Sequence, residues 1–122
     1  MSKTILITTG DLRLRGALNE SVTAVEFAEL LPMDLTMSRW GEEYYGDCGI
    51  DAQLTPDAKD EMDIGEIAIW PVGSALCFFF GPTPASTGDE PRAASAVNPI
   101  GRIIDDTAPL KKLGGSIRVR IT

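Results

Sequence analysis

The sequence predicts a mainly β domain, a closed barrel of about eight short strands with one main α-helix and one short helical turn. Apolar and polar residues alternate over most of the 122 residues, which is the period of a half-buried strand. Only one long segment has helical spacing instead. So many short strands in so short a chain must close on themselves or stack, because long open edges invite aggregation. With 43% hydrophobic and 24% charged residues, we expect one soluble domain over residues 1–122.

The first predicted element is a hairpin. Residues 5–8 and 12–15 alternate in hydrophobicity on either side of Gly10 and Asp11. A Gly-Asp pair between two such runs is typical of a two-residue turn, because glycine adopts the positive φ that a tight turn needs.

The main helix is predicted over residues 20–31. Four apolar residues fall on one face at spacings of three and four: Ala24, Phe27, Ala28 and Leu31. Either Asn19 or Ser21 could cap its amino end, and Pro32 would stop it.

Five further strands are predicted over residues 33–38, 67–70, 76–80, 100–104 and 117–121, and the segment around residues 44–50 is counted as another. A turn at residues 71–73 joins two of them into a second hairpin. Residues 109–113 suggest one helical turn, which Gly114 and Gly115 would end. Two stretches have neither period: an acidic loop over residues 55–63, and an 18-residue connection over residues 81–98 that contains three prolines. Loops of that length are usually functional or mobile.

The chain contains no histidine. This excludes Ser-His-Asp and Cys-His nucleophile systems, histidine general bases and metal sites with histidine ligands. Cys48 and Cys77 form no C-x-x-C motif, and the acidic loop does not follow the EF-hand order. We therefore expect no metal and no cofactor.

Charge and hydropathy limit the partners. A net charge of −7 would repel the phosphates of a nucleic acid, and no apolar run approaches the ~18 residues of a membrane helix. Residues 1–4 lead directly into a strand-like run without the apolar core of a signal peptide. We expect a cytoplasmic protein that binds neither nucleic acid nor membrane.

Four ordered segments resemble a family of small bacterial and archaeal cyclophilin-like proteins of unassigned function. They are residues 40–45 (WGEEYY), 65–73 (GEIAIWPVG), 75–84 (ALCFFFGPTP) and 94–103 (ASAVNPIGRI). The resemblance covers nearly the whole chain. It implies a cyclophilin-like barrel of about eight strands and an ancestral link to peptidyl-prolyl isomerases.

A prolyl isomerase lowers a barrier of roughly 18 to 20 kcal/mol without a nucleophile, base or metal. It holds proline in an apolar pocket and offers a hydrogen-bond donor to the prolyl nitrogen. The Phe-His-Arg signature and the Phe-x-x-x-Gln-Gly-Gly motif of true cyclophilins are absent. Arg39 and Arg102 are the candidate donors, so whether the protein is an enzyme stays open.

The candidate binding groove is built around the aromatic and acidic block at residues 40–45. Its wall would comprise four residues: Arg39, Trp40, Glu43 and Tyr45. Glu42 and Glu43 should point to opposite faces because they are adjacent in an extended segment, so we do not expect them to form an acid/base pair. Thr83 and Arg102 would form the rim.

The floor of that groove would come from the aromatic strand at residues 76–80. One face of the strand presents Phe78 and Phe80, and the other presents Cys77 and Phe79. The sequence does not decide which pair faces the groove and which fills the barrel.

The leading hypothesis is therefore binding of a short peptide or small molecule on the barrel. The alternatives are a divergent prolyl isomerase and a non-catalytic module that binds another protein through its apolar strand face and Pro-rich loop. Self-association into a homodimer is left open.

Overall fold

The computed structural model describes residues 3–122. The prediction that the chain starts without a signal peptide concerns residues 1–4, of which Met1 and Ser2 lie outside the described residues. The described chain forms strands β1 (Lys3–Thr9), β2 (Leu12–Leu18), β3 (Met33–Arg39), β4 (Glu43–Asp47), β5 (Lys59–Glu61), β6 (Glu66–Trp70), β7 (Ala75–Phe79), β8 (Arg92–Ile103) and β9 (Ser116–Ile121). Helix α1 spans Val22–Glu29, and two 3₁₀ turns span Pro71–Gly73 and Ala108–Lys112.

Eight of these strands form a closed antiparallel ring, in the order β2, β1, β9, β3, β4, β7, β6, β8, and the ring closes where β8 pairs with β2. Strand β5 lies outside the ring and pairs with the first half of β8. The second half of β8 pairs with both β6 and β2. The predicted mainly β fold, with eight strands in a ring and one main helix, is confirmed.

The predicted first hairpin and main helix are confirmed. Thr9 pairs with Leu12 across the two-residue turn, and Gly10 has a φ of +56°. Ser21 is the helix N-cap, because its hydroxyl accepts a hydrogen bond from the Ala24 amide at 3.2 Å. The helix is two residues shorter at each end than predicted.

The predicted connection over residues 81–98 is wrong. Strand β8 begins at Arg92, so the loop covers only residues 81–91. Residues 94–97 (ASAV) have weak alternation, and they form a strand because β5 supplies the pairing partner. The acidic loop over residues 55–63 is likewise partly strand, since β5 lies within it.

The ring carries two separate apolar clusters. The interior cluster fills the barrel with inward side chains of the strands, and Phe27 from α1 and Leu110 from the second 3₁₀ turn pack into it. The second cluster lies on the outer face of β6 and β7, beneath β5 and the first half of β8; it comprises Met62, Ala68, Ala75, Cys77, Phe79, Ala93 and Val97. One strand, β7, therefore contributes to both clusters and all five of its residues are buried.

Asn98 fixes the long segment between β4 and β5 against the barrel. Its amide nitrogen donates to the Thr23 hydroxyl at 3.1 Å and to the Gln53 carbonyl at 2.7 Å, and its oxygen accepts from the Thr55 amide at 3.0 Å. The side chain is buried and its polar atoms are satisfied, as a buried amide requires.

The longest helix among residues 3–122 has eight residues, and none in this range combines the length and hydropathy needed to cross a bilayer.

Candidate functional site

A pocket lies on the outer face of the barrel, between β4, β7 and β6 on one side and the first half of β8 on the other. Its volume is about 270 Å³, and the residues that line it are Trp40, Glu43, Tyr45, Trp70, Cys77, Ala93, Ala94 and Val97. We call it the outer-face pocket. Three aromatic rings, one carboxyl group and small aliphatic side chains thus surround a single space.

Strand alternation determines which side chains reach the pocket. On β4, Tyr44 points into the barrel and stacks on Phe80 with ring centroids 5.6 Å apart, so Glu43 and Tyr45 point outward. On β7, Cys77 points outward, opposite Tyr45 in the register. Trp70 has the outward position on β6.

The β3–β4 turn places Trp40 at the pocket. The amides and carbonyls of Trp40 and Glu43 form reciprocal hydrogen bonds of 2.8 and 3.2 Å, which leaves Gly41 and Glu42 as the two turn residues. Gly41 has a φ of +60°, and a Cβ at this position would lie 2.8 Å from the Thr83 Cα. Glycine is therefore required both for the turn and for the close approach of the loop over residues 81–91.

Glu43 is the buried ionisable group of the pocket. The residue is 5% exposed, and its Oε1 has no hydrogen-bond partner in the described part of the chain. Burial raises the pKa of Glu43 from its ordinary value of 4.5 to about 7, and a hydrogen bond with Cys77 opposes this only in part. Burial also raises the pKa of Cys77 well above its ordinary value, so that residue remains a thiol.

Strand β8 forms the opposite side of the pocket with small residues. Ala93, Ala94 and Val97 leave the space that larger side chains would fill. The Trp70 indole nitrogen donates to the Ser95 hydroxyl at 2.7 Å, which fixes the indole across the β6–β8 pair.

Five of the eight predicted site residues do not line the pocket. Arg39 points toward the end of the barrel interior, where its guanidinium lies 5.3 Å from the centre of the Phe80 ring. It donates to the carbonyl oxygens of Gly41 at 2.9 Å, and of Lys111 and Leu113 at 3.0 Å each. Phe78 and Phe80 belong to the interior cluster, because the outward face of β7 is the one with Cys77 and Phe79.

The two predicted rim residues also lie elsewhere. Thr83 is buried in the loop, where its hydroxyl donates to the Arg92 carbonyl and accepts from the Ala85 amide. Arg102 is exposed on the second half of β8, beside a separate shallow depression that also contains Asp63 and Glu66. The structure therefore brings together three of the eight predicted residues: Trp40, Glu43 and Tyr45.

Sequence reasoning missed Trp70 and the β8 residues. The outward position of Trp70 follows from the alternation of β6, in which Ile67 and Ile69 point inward, so this signal was present. No comparable signal marks Ala93, Ala94 and Val97, because the weak alternation of their segment predicts a loop.

A larger depression of about 510 Å³ lies between α1 and β2, lined by exposed residues such as Val25 and Glu29. No buried polar atom without a partner faces it among the described residues. The outer-face pocket is therefore the stronger candidate site. Within residues 3–122, no three Cys, Asp or Glu side chains are grouped so that they could hold a metal ion.

Comparison with known proteins identifies a family and a similar solved structure. The family described as Cyclophilin-like matches residues 3–122 of the chain. The solution structure of a hypothetical protein from Archaeoglobus fulgidus is 32% identical, with a TM-score of 0.81, over 98% of this chain and 93% of that one. No curated protein matches.

Proposed function

Because the chain belongs to the cyclophilin-like family, whose fold by itself specifies no activity, we propose from the site that it binds a small molecule, or a side chain of a short peptide, in the outer-face pocket. The observation that carries the proposal is the carboxyl group of Glu43, which is buried beside a cavity and has one oxygen without a partner among residues 3–122.

The energetics favour an occupant. A buried polar atom without a partner costs about 1–3 kcal/mol, and a donor from a ligand would recover that cost. The rings of Trp40, Tyr45 and Trp70 offer apolar surface around the same point. A few polar groups within an apolar cavity are typical of small-molecule sites, and 270 Å³ lies just below the roughly 300–1,000 Å³ of such sites, which suits a small ligand.

Binding is better supported than prolyl isomerisation. An isomerase needs a free donor beside its apolar pocket, but the Arg39 guanidinium already donates to three carbonyl oxygens and Arg102 lies at another depression. Neither arginine lines the outer-face pocket. An exchange assay on Ala-Pro peptides tests this directly: acceleration of cis–trans exchange at micromolar protein would favour the isomerase instead.

A fragment screen by NMR on the ¹⁵N-labelled chain tests the proposal. We expect a subset of fragments to shift the amide resonances of β4, β7 and the first half of β8. Ala94→Phe should abolish these shifts, because Ala94 lines the pocket. Ala96→Phe is the matched control, since Ala96 lies on the same strand outside the lining.

Two results would reject the proposal. The first is a screen in which no fragment perturbs this region. The second is a set of fragment shifts that Ala94→Phe leaves unchanged, because the ligands would then bind elsewhere.

A further inference from the structure

The outer-face pocket has an unusual balance of charge. Glu43 is its one acidic residue, and none of its eight lining residues is lysine or arginine. Glu43 is 5% exposed, so bulk water screens the charge of its carboxyl group poorly. An anionic ligand would meet a like charge here, and the described lining residues supply no cation to offset it.

Building on the proposed function, we propose that the outer-face pocket recognises a small protonated primary amine, whose ammonium group donates to Glu43 and lies against the surrounding aromatic rings. The occupant has a compact apolar body and one cationic head.

The carboxyl group supplies the first part of this recognition. Glu43 Oε1 has no donor within the described residues, and an ionised carboxylate only accepts hydrogen bonds. A hydrogen bond between a cation and a carboxylate is about twice as strong as one between neutral groups. An ammonium group fits the unpartnered oxygen in both charge and donor capacity.

The aromatic rings supply the second part. Trp40, Tyr45 and Trp70 all line the same cavity as the carboxyl group. Ring faces attract cations by about 0.5–1 kcal/mol when exposed and by about 2 kcal/mol or more when desolvated. An alcohol of the same shape could donate to the carboxylate, but it carries no positive charge for the carboxylate or the ring faces to attract.

The pH dependence separates this proposal from the opposite arrangement, in which protonated Glu43 donates to an acceptor on the ligand. The ionisable groups that face Glu43 in the pocket are Tyr45 on β4 and Cys77 on β7, and the lining residues of β6 and β8 do not ionise. Cys77 stays neutral because burial raises its pKa. An amine remains protonated up to pH 8, so its affinity should rise as Glu43 loses its proton near pH 7. For an acceptor ligand, the affinity should fall over the same range.

The test compares matched ligands on the full chain. The probes are butylamine and benzylamine, each paired with its alcohol, 1-butanol and benzyl alcohol, and titrated by NMR at pH 5.5 and pH 8. At pH 8 we expect at least one amine to bind about tenfold more tightly than its alcohol, which corresponds to about 1.4 kcal/mol. We expect its affinity to fall about tenfold or more at pH 5.5.

Glu43→Gln keeps the shape of the side chain and removes its charge. We expect this variant to lose the preference for amine over alcohol, so that the two members of each ligand pair bind with affinities within about twofold of each other. Glu42→Gln is the matched control: it removes a neighbouring charge, but Glu42 does not line the pocket and instead pairs with Arg39 and Lys111. It should leave amine binding unchanged.

The outcomes distinguish the two proposals. Fragments that bind in the pocket while neither amine exceeds its alcohol would overturn the amine proposal and leave the binding function standing. An affinity that falls with rising pH would also overturn it. Absence of any ligand shift at the pocket would reject both. If Glu43→Gln does not fold, the pH series and the ligand pairs on the wild-type chain still decide.

Discussion

The guanidinium of Arg39 donates to the carbonyl oxygen of Leu113 at 3.0 Å, which joins the end of β3 to the segment after the second 3₁₀ turn. A second bond from the same nitrogen reaches the Lys111 carbonyl. Carbonyl oxygens at the end of a helical turn lack partners within it, so the arginine satisfies them. Arg39, which the sequence suggests as a candidate catalytic donor, therefore joins main-chain segments of the fold.

Arg39→Met should therefore reduce stability. Loss of three hydrogen bonds from a charged donor, one of them partly buried, should lower the free energy of unfolding by about 2 kcal/mol, measured by urea denaturation. Arg13→Met is the control, because Arg13 is exposed on β2, and it should change that free energy by less than about 0.5 kcal/mol. Equal effects of the two substitutions would contradict this role.

Gly41→Ala should be more destabilising than Gly10→Ala. Both glycines have positive φ, so alanine at either site costs roughly 1–2 kcal/mol of backbone strain. A Cβ on Gly10 meets nothing within 4 Å, whereas one on Gly41 would clash with the main chain at Thr83. Thermal unfolding of the two variants isolates the clash as the difference between them. Equal losses would mean that the loop can move away.

Glu43 should make stability fall as pH rises. Its pKa is about 7 in the folded protein and 4.5 ordinarily, so between these values the folded state binds more protons than the unfolded state. The contribution is complete below pH 4.5 and is lost as pH rises through 7, up to about 3 kcal/mol. Urea denaturation of Glu43→Gln should show no such decline in the free energy of unfolding between pH 5 and pH 8. Glu26→Gln, on the exposed face of α1, should retain it.

Glu90 should act in the opposite direction at low pH. Backbone donation from Thr87 and the Arg92 guanidinium, whose Nε lies 2.9 Å from Glu90 Oε2, lower the pKa of Glu90 to about 2. Its stabilising contribution is present above pH 4.5 and is lost as pH falls through 2. Glu90→Gln should therefore lower the melting temperature at pH 6 and narrow the gap to the wild type at pH 2. A gap that does not depend on pH would contradict the assignment.

Patterns with local causes were predictable from the sequence. The Gly10 turn, the Ser21 cap and the parity of β3 all depend on residues within a few positions of one another, where turn chemistry and side-chain period act directly. The opposite directions of Tyr44 and Glu43 follow from the same period. The strand at the start of β8 was missed because its residues are small and its pairing partner, β5, lies 31 to 38 residues earlier in the chain.

The sequence by itself determined that this chain is a small β barrel with one helix and that Trp40, Glu43 and Tyr45 form a distinctive block. Only the tertiary structure decided that Cys77 faces the pocket, that β8 covers it with alanines, and that Arg39 is occupied by main-chain carbonyl groups. The physical reason is that alternation assigns two faces to each strand without saying what either face meets. That depends on lateral pairing between strands distant in sequence, which joins β4, β7, β6 and β8 around one cavity.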